Sequence, residues 1–167
     1  MQRQQQISYL SLDWIMMGFT KGMPEIGIHD KLWPDEIATR LQDFLAAMID
    51  SMLWTDAHHV IEGEAILPAF VRTLLDKHPN DIRAAYLGYT NIEVAEKLYQ
   101  TKKHSPDPSD WLLKEPDEYI RDHLGNMLAY SRKIKAECEQ HNVKYFDTSV
   151  DFEASIDLAT EYLLMQN

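Results

Sequence analysis

Three carboxylates stand out by type and position. Asp13 closes the alternating stretch Ile7-Ser-Tyr-Leu-Ser-Leu-Asp13, and Glu62 and Glu64 close a second one, His58-His-Val-Ile-Glu-Gly-Glu64. Carboxylates placed this way can draw a proton from a hydroxyl or hold a magnesium ion, or they can simply cap the ends of strands. The string His58-His59-x-x-Glu62 raises the thought of zinc. Period-two alternation puts His58, Val60 and Glu62 on one face and His59 on the other, so that cluster splits. Lys102 and Lys103 form a cation pair at the start of a loop or mobile lid or at the C-terminal end of a helix, where positive charge complements the dipole. Trp14, Met16, Met17, Phe19 and Met23 can line a pocket, since methionine adapts to varied ligands, or pack as core. Cys138 falls on the apolar stripe of a helix, and nothing around it suggests a nucleophile.

The elements that must position these groups follow from periodicity. Ile7–Asp13 reads as a strand, followed by a long apolar loop punctuated by Gly18, Gly22, Pro24 and Gly27. Pro34 opens a helix with Asp35 and Glu36 in its first turn and a stripe at Ile37, Leu41, Phe44, Leu45, Met48 and Met52. A strand at 58–64, a helix at 68–77 and a strand at 82–89 come next. Thr90-Asn-Ile-Glu93 fits a capping box that starts a helix reaching about Lys103. The segment 101–116 has no apolar period and reads as a lid-like insertion. A long helix from Pro116, a strand at 143–147 and a terminal helix complete the chain. Strands alternating with helices predict one α/β domain over residues 1–167, with a mainly parallel sheet covered by helices on both faces. Ligands bind such sheets outside the carboxyl ends of the strands, where Asp13, Glu62, Glu64, Tyr89 and Asp147 are expected to gather.

Composition narrows the possible functions. The 167 residues are 45% apolar, enough for a core without disulfide or metal staples. Sixteen Lys and Arg against 27 Asp and Glu leave a net charge of −11, which repels phosphate backbones and anionic lipid surfaces. Nucleic acid and membrane are therefore not expected as partners. The lone cysteine and the absence of a signal-like apolar start read as a soluble, cytoplasmic protein.

In order and spacing, Tyr9-Leu-Ser-Leu-Asp-Trp14, Val60-Ile-Glu-Gly-Glu64, Arg83-Ala-Ala-Tyr-Leu-Gly88 and Tyr145-Phe-Asp-Thr-Ser149 resemble the P-loop small-molecule kinases, in the branch that holds nucleoside, nucleotide, gluconate and 2-phosphoglycerate-kinase-like proteins. The resemblance implies a P-loop NTPase kinase-like fold, with ATP and magnesium as cofactors and a small hydroxylated molecule as acceptor. It implies that Asp13 orients or deprotonates the acceptor hydroxyl. Glu62 would be the second acidic catalytic residue, beside the magnesium, and Lys102 and Lys103 would be lid cations on the nucleotide phosphates. Lids of this family more often use arginine, whose fork binds phosphate oxygens in a way lysine does not copy.

One departure is large. The family rests on G-x-x-x-x-G-K-[ST], which cradles the phosphates, and no such motif occurs here. Gly22 and Gly27 have the glycine spacing, but Ile28 and His29 stand where Lys and Ser or Thr are needed. Met1–Gln6 looks like the tail of the helix that follows the cradle, so the chain is expected to lack the first strand and the phosphate-binding loop. The expectation is a kinase-like protein, inactive as it stands, or a non-catalytic binding module that self-associates through exposed sheet edges.

Overall fold

The computed structural model describes residues 7–55, 57–104 and 111–165. The chain divides into two compact units, Met1–Ile82 and Arg83–Asn167. The expected tail helix at Met1–Gln6 and part of the expected lid, 105–110, lie outside the described residues.

The first unit is built on β1 (Ile7–Ser11) and β2 (His58–Glu62), which pair in parallel with Tyr9 opposite Val60 and Ser11 opposite Glu62. Three helices serve this sheet: α1 (Leu12–Gly22), α2 (Pro34–Met52) and α3 (Pro68–Lys77). Proline stands at the first position of α2 and α3, where its missing N–H costs nothing. Leu41 and Leu45 of α2 are 0% and 1% exposed, and they join Leu12, Ile28, Ile37, Phe70 and Leu74 in one core. Each such leucine contributes about 1.5–3 kcal/mol by leaving water. Asp50, near the end of α2, accepts from Lys77 and meets the His78 ring at 3.0 Å, which ties the ends of α2 and α3 together.

The second unit pairs β3 (Ala85–Gly88) in parallel with β4 (Lys144–Asp147), Gly88 opposite Asp147. Its helices are α4 (Val94–His104), α5 (Asp117–His141) and α6 (Phe152–Leu164). Leu98, Ile120 and Leu124 form the contact between α4 and α5. The last turn of α5 ends at Asn142, whose left-handed backbone (φ 51°) closes the helix. Alternate residues of β4 reach opposite faces: the Tyr145 hydroxyl points to Ser131 of α5, and the Phe146 ring packs on Tyr162 of α6.

The architecture is α/β with parallel pairing, and it differs from the expectation in three respects. The single sheet is replaced by two separate two-stranded ones, β1-β2 and β3-β4. The stretch between β2 and β3 contributes, as expected, only a helix, α3, among the described residues, and no described strand joins the pairs. Helices cover both faces in the second unit, whereas the first unit's sheet leaves Ile7, Tyr9 and Val60 exposed at 50%, 56% and 42%. The expected loop after Asp13 is the helix α1. Leu12, Ile15, Met16 and Phe19 recur at helical spacing, and the Ser11 side chain caps the first turn. Met16 and Phe19 pack on the core, Phe19 edge-on to Phe44, while Trp14 stays 64% exposed with its ring edge-on to Tyr9.

Candidate functional site

At the carboxyl ends of β1 and β2 the first unit carries an acidic rim. Asp13, expected to end the first strand, sits instead in the first turn of α1, two residues past the end of β1 at Ser11, with its backbone N–H donating to Ser11 Oγ at 3.4 Å. Its side chain faces solvent. Glu62 ends β2 and accepts a 2.6 Å hydrogen bond from the Tyr9 hydroxyl, which pushes the Tyr9 phenol up. Gly63 follows with φ +155°, and a Cβ there would stand 2.7 Å from Leu12 Cβ. This close approach holds the β2 end against the start of α1, so Glu64 and Asp13 are each one residue from the contact. Partial desolvation raises the Glu64 carboxyl above its ordinary value, and the Asp13 charge raises it further. The structure thus brings Asp13, Glu62 and Glu64 to one rim.

The rim can accept a proton from a hydroxyl or receive a polyhydroxylated ligand through carboxylate hydrogen bonds. The glycine-spaced segment at 22–29 does not form a phosphate cradle. Gly22 ends α1, the Gly27 carbonyl accepts from Arg40, Ile28 is buried in the core, and His29 Nδ1 accepts from Lys31 N–H. The segment holds no lysine, and the residue at the lysine position, Ile28, is packed in the core. Among the described residues no three His, Cys, Asp or Glu side chains gather as a metal set. Two carboxylates suit magnesium only in the company of substrate phosphates. A shallow hollow lined by Asp50, Leu53, Trp54, Lys77 and His78 includes none of the rim carboxylates.

The second unit's strand ends carry a different arrangement. Asp147 accepts from the Ser149 and Thr90 hydroxyls, from Ser149 N–H at 3.1 Å and from Lys135 Nζ at 3.0 Å. Ser149 Oγ accepts in turn from the backbone N–H groups of Thr90 and Asn91 at 2.8 and 2.9 Å, and Arg132 Nε donates to the Thr90 carbonyl. Partial burial pushes the Asp147 carboxyl up, but the bonds from Ser149, Thr90 and Lys135 outweigh it and hold the group well below the usual carboxylate range. This knot clamps the turn after β3 to the end of β4. Thr90 therefore does not cap α4 as expected, because its hydroxyl is spent on Asp147, and the helix begins at Val94. Lys97 of α4 lies 4.4 Å from the Tyr89 ring centre, and desolvation lowers its ammonium while it pushes Tyr89 up to about 12.

Lys102 and Lys103 lie in the last turn of α4. Lys102 donates to Asp117 at the start of α5, which lowers the Asp117 carboxyl, and Lys103 stands over the Tyr99 ring at 5.8 Å. A phosphate arriving at Lys102 would compete with Asp117. The strand-end position of Asp147 was readable from the sequence, but its partners Thr90, Ser149 and Lys135 were not. The one signal for them was the Asp-Thr-Ser turn itself. No family model, no curated protein and no solved structure matches this chain.

Proposed function

We propose that the chain is a kinase-related module whose β1-β2 rim binds a small hydroxylated acceptor and which does not by itself transfer phosphoryl groups from ATP. The observation that carries this reading is the coupled rim: Asp13 exposed at a helix start, Glu64 shifted by desolvation and by that same charge, and Glu62 fixed by Tyr9. It stands at the carboxyl ends of parallel strands, where α/β sheets take ligands. The kinase relationship rests on the four resembling segments, whose strands pair in parallel, β1 with β2 and β3 with β4. In this reading Asp13 takes the acceptor's hydroxyl hydrogen bond, and Glu62 and Glu64 hold neighbouring hydroxyls. Phosphoryl transfer depends on positioned phosphates and on charge neutralisation, and the G-x-x-x-x-G-K-[ST] motif that supplies both in the resembled family does not occur in the sequence.

The test is a thermal-shift panel of nucleosides, sugar acids and polyols on the full chain, with Asp13→Asn in parallel. One acceptor class should raise the wild-type Tm and lose its effect in the variant. A panel without any shift, or a shift that survives Asp13→Asn, would contradict the reading.

A further inference from the structure

β2 is hydrogen-bonded to β1 on one side, and among the described residues no strand covers its other side. An uncovered edge is a row of amide donors and carbonyl acceptors, and natural edges are usually protected by lysine, proline or a bulge. β2, His58-His-Val-Ile-Glu62, has no proline or lysine, and β1 pairs with it residue for residue from Ile7 to Ser11, without a bulge. A chain of net charge −11 repels its own copies, so a contact between copies is favoured where each carboxylate can meet a hydrogen-bond donor of the other copy. β2 carries one carboxylate, Glu62, and an imidazole, His58, on the same face.

We infer that the free edge of β2 pairs antiparallel with β2 of a second copy, about a two-fold axis at Val60. In that register His58 stands opposite Glu62 of the other copy, Val60 opposite Val60, and Glu62 opposite His58. All of these side chains share the sheet face on which Val60 is 42% exposed. The imidazole of His58 offers the Glu62 carboxylate a hydrogen-bond donor, and a cation when protonated, in two symmetric pairs. His59 and Ile61 meet on the opposite face, where Ile61 already packs on the core. The product is a four-stranded sheet, β1-β2-β2-β1. It replaces a two-stranded sheet, which is marginal in isolation, and joins the exposed Ile7, Tyr9 and Val60 of both copies into one apolar band. β1, by contrast, contains no charged side chain and offers a copy no charge pair to set a register. A different partner strand would leave His58 and Glu62 without this reciprocal match. The inference shares Glu62, which already accepts from Tyr9 of its own copy, with the acceptor-binding reading, and its test reads oligomeric state without any acceptor present.

The experiment is light scattering coupled to size exclusion, over a concentration series, on three forms of the full chain. Wild type should be a dimer that dissociates on dilution. His58→Glu, and separately the double variant His58→Lys with Glu62→Lys, place like charges opposite each other and should each weaken dimerisation about tenfold or more. An equal mixture of the two variants restores opposite-sign pairs and should recover the dimer, which also shows that both remain folded. On wild type, amide exchange at 58–62 should slow as concentration rises. A wild type that stays monomeric at every concentration, variants that dimerise as well as wild type, or exchange at 58–62 that ignores concentration would overturn the inference.

Discussion

Gly63 sits so close to Leu12 that a single added carbon would stand 2.7 Å from the leucine Cβ. The left-handed backbone of Gly63 and the absence of a side chain there are what bring the end of β2 against the start of α1, and with it Glu64 within reach of the Asp13 charge. Gly63→Ala should therefore lose about 1–3 kcal/mol to backbone strain and crowding, read by urea unfolding. Unchanged stability would mean that the turn has slack and does not hold the rim.

Glu64 gives the rim a pH signature. Its carboxyl is raised in the folded chain, so the ionised form present at neutral pH costs native stability, and the cost disappears as pH falls below the ordinary glutamate value of about 4.3. Glu64→Gln should raise Tm at neutral pH, and the gain should fade on acidification. Asp13→Asn should lower the Glu64 value, as read by side-chain NMR titration, because a like charge has been removed.

Asp147 has the opposite sign. Its carboxyl is held low, so its contribution is present above the unfolded value, about 3.9, and is lost as pH falls through and below it. Asp147→Ala leaves Thr90, Ser149 and Lys135 without their acceptor and should cost about 2 kcal/mol at neutral pH, a figure kept modest by solvent access to the pair with Lys135. Chemical denaturation of the variant at neutral and acid pH checks both the size and the convergence.

Cys138 is 0% exposed on α5, and burial pushes its thiol up to about 12. A thiol reagent should therefore modify it only as fast as the second unit opens, and the rate should rise with denaturant. Rapid labelling of the native chain would show that α5 does not pack as described.

The helices were the most legible part of the sequence. Pro34, Pro68 and Pro116 each mark a helix start where the structure has one, because proline's fixed φ and missing N–H act locally. The helix α1 was hidden by Gly18, Gly22 and Pro24, although Leu12, Ile15, Met16 and Phe19 carried its period. The glycines fall inside the helix or at its end and have open space around them. At the rim, Asp13 and Glu62 were readable as strand-end carboxylates, while the importance of Glu64 depends on the approach of Gly63 to Leu12, which no local pattern encodes. The Thr90 capping box misled for a similar reason. A partner 57 residues away, Asp147, takes the hydroxyl that the local rule assigns to the helix.

The central claim is an acceptor site without an ATP cradle, and calorimetry on the full chain addresses both halves. Titrated with ATP and magnesium, the chain should give no heat or only millimolar binding. Titrated with the hydroxylated compound that most raises its Tm, it should show saturable binding that Asp13→Asn weakens about tenfold, the loss of one carboxylate hydrogen bond. Micromolar ATP affinity, or acceptor binding indifferent to Asp13, would contradict the account.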